Sequence, residues 1–136
     1  MLEFGVAVAV IFPIFAGSFH YGYTYYVYNN LQSSVRAAGR YAATRTYDSA
    51  SATPSAAFTT AVKNMAVYGD PLGGTRSVAP NLTTDQVAVS ATFSMGTPSQ
   101  VTVQVNNFQI NGVFGTVTVN GKPRVTFPYL GRWDPI

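Results

Sequence analysis

Residues 4–35 contain no Asp, Glu, Lys or Arg, and a lone acid, Glu3, stands immediately before them. At about 1.5 Å of helical rise per residue, about 20 apolar residues cross the hydrocarbon core of a bilayer. Residues 4–28 are therefore long enough to span one with some tilt. Continued to about residue 48, the same rise gives a rod of roughly 65–70 Å, which the remaining chain is too short to wrap. The apolar surface of such a rod requires a lipid bilayer or other copies of the chain.

The 136 residues leave room for one modest domain beside the helix. Only 10 % of them are charged, against roughly 25 % in ordinary soluble domains. Ser, Thr, Asn, Gln and Tyr supply the polarity instead, a composition more usual outside the cell than in the cytoplasm. The net charge of +3 rests on eight Lys and Arg residues. Arg36, Arg40 and Arg45 follow the apolar segment and the rest are scattered, so the basic stripe of a nucleic-acid interface is missing. The trio suits anionic headgroups, acids of neighbouring subunits or simply a solvated helix face. The absence of cysteine excludes disulfides, thiolate metal sites, iron–sulfur clusters and cysteine nucleophiles. Nothing basic precedes the apolar run, unlike a secretory signal; the expectation is that a basic leader has been removed.

The first helix is expected over about residues 2–46. Pro13 removes an internal hydrogen bond and crowds the preceding turn, which predicts a kink or melted turn over residues 9–13. Gly5, Gly17 and Gly22 give smooth patches where another helix can approach. Phe19, Tyr21, Tyr23, Tyr25, Tyr26 and Tyr28 surround the rod as a belt, suited to a membrane interface or to a tyrosine-rich subunit contact. Leu31, Val35, Ala38 and Ala42 recur at helical spacing, which predicts that this section lies against the globular part. After a Ser/Thr/Ala linker, Pro54 suits the first turn of a second helix over residues 55–68, with Ala57, Ala61, Met65 and Tyr68 on one face. Gly69, Pro71, Gly73 and Gly74 end it and open a loop to about residue 84.

Beyond Asp85 the period changes to two. Val87, Val89, Ala91 and Phe93 alternate with polar residues, as do Val101, Val103 and Val105, with a turn at 95–99. Val117 and Val119 mark a third strand, flanked by the turn dipeptides Asn111-Gly112 and Asn120-Gly121, and residues 124–127 return as a fourth. Asn120-Gly121 is expected to form a two-residue hairpin turn with positive φ at both positions.

Candidates for chemistry are few. His20, flanked by Phe19 and Tyr21, suits a ligand, a pH switch or a hydrogen-bonded packing residue, but no carboxylate, Cys or second His lies within two turns to complete a metal site. Its place in the rod keeps it from any nucleophile on the sheet, so no catalytic triad is expected. Glu3, Asp48, Asp70, Asp85 and Asp134 lie far apart near element ends, where capping explains them. Residues 69–74 lack the Lys and hydroxyl of a phosphate loop. Asn81-Leu82-Thr83 fits the glycosylation triplet. No catalytic, cofactor or metal residue is nominated, and no enzyme is expected.

The run from Phe15 through Tyr28-Asn29, Leu31-Gln32, Val35-Arg36 and Gly39-Arg40-Tyr41-Ala42-Ala43, with Glu3-Phe4 and Pro13 upstream, resembles the N-terminal region of TadE-like pseudopilins of tight-adherence systems. The resemblance covers about the first third of the chain. It implies a leader cut by a prepilin-type peptidase, insertion in the inner membrane and association through the N-terminal helix. It also implies that Glu3 helps place the subunit by pairing with a neighbour's amino terminus. Related prepilins usually carry this acid at the fifth mature position, which sets the expected mature start apart from Met1. His20 stands where the family often has a second acid. The C-terminal sheet matches no motif, so its reading rests on alternation and turns.

Together these readings predict an α+β chain: a long hydrophobic helix kinked near Pro13, a short helix and an antiparallel sheet of about four strands. Residues 1–47 form the assembly helix and 48–136 a small head. The expected assembly interface comprises Glu3, Phe4, Pro13, Gly17, Gly22, Tyr25, Tyr26, Tyr28, Arg36 and Arg40. The expected function is a structural subunit of an extracellular pilus-like filament, with other copies, the inner membrane, the assembly machinery and a prepilin peptidase as partners, and with no nucleic acid and no cofactor. The alternative is a membrane-anchored minor pseudopilin that initiates or regulates a pilus. Weaker rivals are an adhesin using the 69–84 loop and the 129–133 tail, and a helical electron carrier.

Overall fold

The computed structural model describes residues 2–135. Helix α1 (Leu2–Thr44) and helix α2 (Ala56–Tyr68) precede a single 3-10 turn (Thr84–Gln86) and five strands: β1 (Val87–Ser94), β2 (Thr97–Val105), β3 (Phe108–Gly112), β4 (Gly115–Val119) and β5 (Arg124–Pro128). The class is α+β, as the change of period near Asp85 predicts. The strands form two antiparallel sheets, one ordered β1-β2-β5 and one β3-β4.

The core is built around the C-terminal half of α1. Val27, Leu31, Val35, Ala38 and Ala42 recur at three- and four-residue intervals and are buried, as are Val101, Val103 and Val105 on one face of β2. On the other face Thr102 pairs with Thr126 through their hydroxyls at 2.9 Å, so the outward side of the β2–β5 ladder stays polar. Helix α1 lies on β5 at Gly39, where a Cβ would sit 2.8 Å from Phe127 Cδ2 and 2.9 Å from Val125 Cγ2. Only a residue without a side chain admits that approach.

Several expectations are corrected. Helical structure runs unbroken through Pro13, so of the two alternatives expected over residues 9–13, a kink or a melted turn, the melted turn is absent. Ser55 is the N-cap of α2, accepting from Phe58 N–H at 3.0 Å, and Pro54 therefore lies outside the helix. The inward stripe of α2 is Phe58, Ala61, Val62, Ala66 and Val67. It is rotated from the expected face because Phe58 and the valines carry more apolar area than Ala57. The first hairpin closes on Met95 and Gly96, both at positive φ, with Ser94 opposite Thr97. Asn111-Gly112 is not a turn but the end of the unforeseen strand β3, and Val113 and Phe114 make the reversal into β4.

Asn120-Gly121 does not close a hairpin. Of its two residues only Gly121 has positive φ, and β4 and β5 belong to different sheets. Strand β5 pairs instead with β2, Val125 opposite Val103 and Phe127 opposite Val101. That register places Val125 and Phe127 against α1, a tertiary gain that local turn preference does not register.

The C-terminal segment ties the end of α1 to the sheet. Tyr47 N–H donates to Tyr129 Oη at 2.9 Å and to Arg132 O at 2.8 Å, Leu130 N–H donates to Ala43 O at 2.9 Å, and Trp133 Nε1 donates to Ser49 O at 3.1 Å. Tyr47 stacks edgewise on Phe58, Phe93 and Tyr129, with centroids 5.2–6.0 Å apart. The 129–133 tail is thus a structural clasp.

Candidate assembly interface

Helix α1 changes character near Val27. On the head side its apolar residues are in the core; on the other side they are bare. Phe4, Val6, Val8, Val10, Ile11, Phe12, Ile14, Phe15 and Phe19 are exposed, as are Tyr21, Tyr23, Tyr25 and Tyr26. Among the described residues this is the one helix long and apolar enough to cross a membrane, with mean hydropathy 1.7 and none of its most apolar window buried. Ser18 and Thr24 return their hydroxyl protons to Ile14 O at 3.0 Å and His20 O at 2.8 Å, so these polar groups are satisfied within the helix itself.

The expected interface residues fall into distinct places. Glu3, Phe4 and Pro13 lie on the bare half, outside the head. Around Gly5, Gly17 and Gly22 there is open space where a Cβ would stand. Gly22 and Tyr26 join Phe15, Phe19 and Tyr23 along one apolar concavity of the helix. Gly22, Tyr25 and Tyr28 join Tyr21 opposite Ile110, Val117 and Val119, forming an apolar groove of about 660 Å³ between α1 and the β3–β4 hairpin. Tyr28 and Arg36 meet Gln32, Lys122 and Arg124 in a neighbouring basic hollow. Arg40 is exposed and lines none of these.

The hairpin also reaches His20. Phe114 N–H donates to His20 Nδ1 at 3.4 Å, the two rings lie 5.8 Å apart, and a Cβ at Gly112 would overlap the imidazole at 2.2 Å. His20 therefore meets the β3–β4 hairpin through a backbone N–H and a phenyl ring, neither of them a nucleophile. Among the described residues no three His, Cys, Asp or Glu side chains gather where they could hold a metal ion. Asp70 accepts from Leu72 N–H at 2.9 Å, the turn role foreseen for it, whereas Asp48 accepts from the hydroxyl of the cap residue Ser55 at 2.5 Å and caps no helix itself.

The Glu3-Phe4 to Ala43 signature lies on the helix whose outer half is bare and apolar and whose inner half enters the head. Residues 1–40 match the family described as TadE-like protein. The pilin-like resemblance thus holds over the N-terminal third, in a family that is pilus-associated and structural. No curated protein and no solved structure matches the chain. The TadE-like segment ends beside Gly39, so the match takes in both the bare half of α1 and most of the half that builds the core.

Sequence reasoning missed Val113, Phe114, Lys122 and Arg124 as neighbours of the tyrosine belt and of His20. One signal was available: residues 108–121 carry no charge, and an apolar Val-Phe pair stands between Gly112 and Gly115.

Proposed function

We propose that this chain is a structural subunit of an extracellular pilus-like filament, inserted first in the inner membrane and polymerising through α1. The observation that carries the reading is the division of one continuous helix. Its inner half is the core of the head, and its outer half is apolar and uncovered. In that reading residues 1–47 supply assembly and 48–136 the outer coat. Transfer from lipid to a bundle of like helices exchanges one apolar environment for another, so net stabilisation comes from close packing and polar pairing rather than from burial. Gly17 and Gly22 provide the close approach, and Glu3 the polar pairing with a neighbour's amino terminus. The assembly machinery and a prepilin peptidase are the remaining partners.

The TadE-like match supports a second reading, a minor pseudopilin that stays anchored and initiates or regulates a pilus built of another subunit. Negative-stain imaging and mass spectrometry of sheared surface fractions separate the two. Filaments composed mainly of this chain are the expected result. Retention of the whole pool in the inner membrane, with pili of another composition, overturns the first reading in favour of the second.

A further inference from the structure

The β3–β4 hairpin has a polar outer face and an apolar inner one, but its tip departs from that pattern. Val113 and Phe114 are 69 % and 61 % exposed at a reversal where polar residues and glycine are usual. Residues 108–121 carry no charge, and Lys122 and Arg124 follow at once. We propose that this hairpin is a second membrane contact: its Val113-Phe114 tip seats in the head-side leaflet of the bilayer that α1 crosses, and Arg36, Lys122 and Arg124 at its base take anionic lipid headgroups. The proposal rests on α1 spanning a bilayer.

The height of the tip along α1 carries it. Phe114 is fixed beside His20 by the 3.4 Å hydrogen bond and the ring contact. His20 stands about 24 Å along the helix from Phe4, inside a hydrocarbon core of about 30 Å, and tilt lowers it further. A bilayer whose far edge meets Phe4 therefore reaches the hairpin tip. Tyr28 stands about 36 Å from Phe4, at headgroup depth, and lines the hollow that contains Gln32, Arg36, Lys122 and Arg124. Helical side chains lean toward the N-terminus, which brings the Arg36 guanidinium down toward that level. Among the described residues the one ion pair is Arg132 with Asp134, so no carboxylate neutralises the three cations. Near the tip, Thr116 Oγ1 donates to Asn111 Oδ1 at 3.0 Å, which lessens the cost of bringing these side chains close to lipid. A second copy of the chain is a poorer fit to the basic hollow, since the whole sequence offers five carboxylates and its apolar half only Glu3.

The chain has no cysteine, so nitroxides can be placed singly at Phe114→Cys, Met95→Cys and Phe12→Cys of the full-length protein. The labelled proteins are reconstituted in phosphatidylcholine vesicles with and without phosphatidylglycerol. Met95 is the aqueous reference, being fully exposed at the β1–β2 turn, near the end of the sheet tied to Ala43. Collision with oxygen and shielding from an aqueous nickel chelate are expected for the labels at 12 and 114, and the reverse at 95. Shielding at 114 should rise several-fold with phosphatidylglycerol and lose that dependence when Lys122→Gln and Arg124→Gln are combined. A label at 12 in lipid with a label at 114 as open to the chelate as that at 95 overturns the hairpin contact alone. A label at 12 open to the chelate overturns the spanning helix as well. Shielding at 114 from both reagents, growing with the protein-to-lipid ratio, assigns the tip to a second copy and overturns the lipid contact. Indifference to phosphatidylglycerol overturns the headgroup role.

Discussion

A Cβ at position 39 has no room that is not already taken by Phe127 and Val125. Two effects oppose each other when a helical glycine becomes alanine. Helix propensity favours alanine by roughly 0.5–1 kcal/mol, and overpacking costs about 1–3 kcal/mol. At Gly17, with open space around it, propensity wins, and Gly17→Ala should leave the stability of the dispersed protein unchanged or slightly raised. At Gly39 overpacking wins, and Gly39→Ala should destabilise the head by about 1–2 kcal/mol. Urea titrations of the two variants in detergent check the opposite signs. A second residue-scale consequence concerns Tyr47 and Tyr129. Burial, followed for Tyr47 by the Asp48 carboxylate, raises both hydroxyls above the ordinary value of 10.0. In the unfolded chain they ionise near 10.0, so above that pH the native state holds more protons than the unfolded one. Their contribution to stability is fully present below the unfolded value and is lost as pH rises through it toward the raised native values. Urea midpoints should fall above about pH 10, and Tyr47→Phe should flatten that fall. The same variant loses the 2.8 Å bond to Ser51 O, at a cost of about 1 kcal/mol at neutral pH.

At the scale of elements, α1 is shared between the head and whatever covers its bare half. A fragment beginning at residue 48 lacks Leu31, Val35, Ala38 and Ala42, and each large apolar side chain removed from a core costs about 2–5 kcal/mol. Losing them together exceeds the whole stability of an ordinary domain. A fragment beginning at residue 24 keeps every α1 residue of the core cluster. The expected outcome is a soluble, cooperatively melting product for 24–136 and an unfolded one for 48–136, read by near-ultraviolet dichroism. The spacing of Leu31, Val35, Ala38 and Ala42 made this packing legible in the sequence, since helical period is a local property. The alternation of β1 and β2 was legible for the same reason. The partnership of β5 with β2 was not, because Asn120-Gly121 is a strong local hairpin signal. What overrides it is the contact of Val125 and Phe127 with Gly39, more than 80 positions away in the chain. Strand β3 was hidden likewise, its Asn111-Gly112 resembling a turn until Val113 and Phe114 take that place.

For the whole molecule, the proposed function makes the bare half-helix the part that decides assembly. In a bundle of such helices an unpaired carboxylate is strongly unfavourable, and removing one partner of a buried pair costs about 3–5 kcal/mol. Glu3→Ala should therefore reduce filament number and length while leaving the urea midpoint of the head unchanged, because Glu3 is exposed and outside the core. Gly22→Asp acts through the opposite defect. It places a carboxylate among Phe15, Phe19, Tyr23 and Tyr26, and also removes a smooth point of approach. Since a Cβ at 22 meets nothing within the isolated chain, any loss in this variant arises between chains or in lipid rather than in the fold. The expected result is protein that stays in the membrane fraction, melts as the parent does and yields no filaments in sheared surface material. Normal filaments from Gly22→Asp would mean that this stretch faces solvent in the polymer, and the helix-bundled filament core would then be wrong.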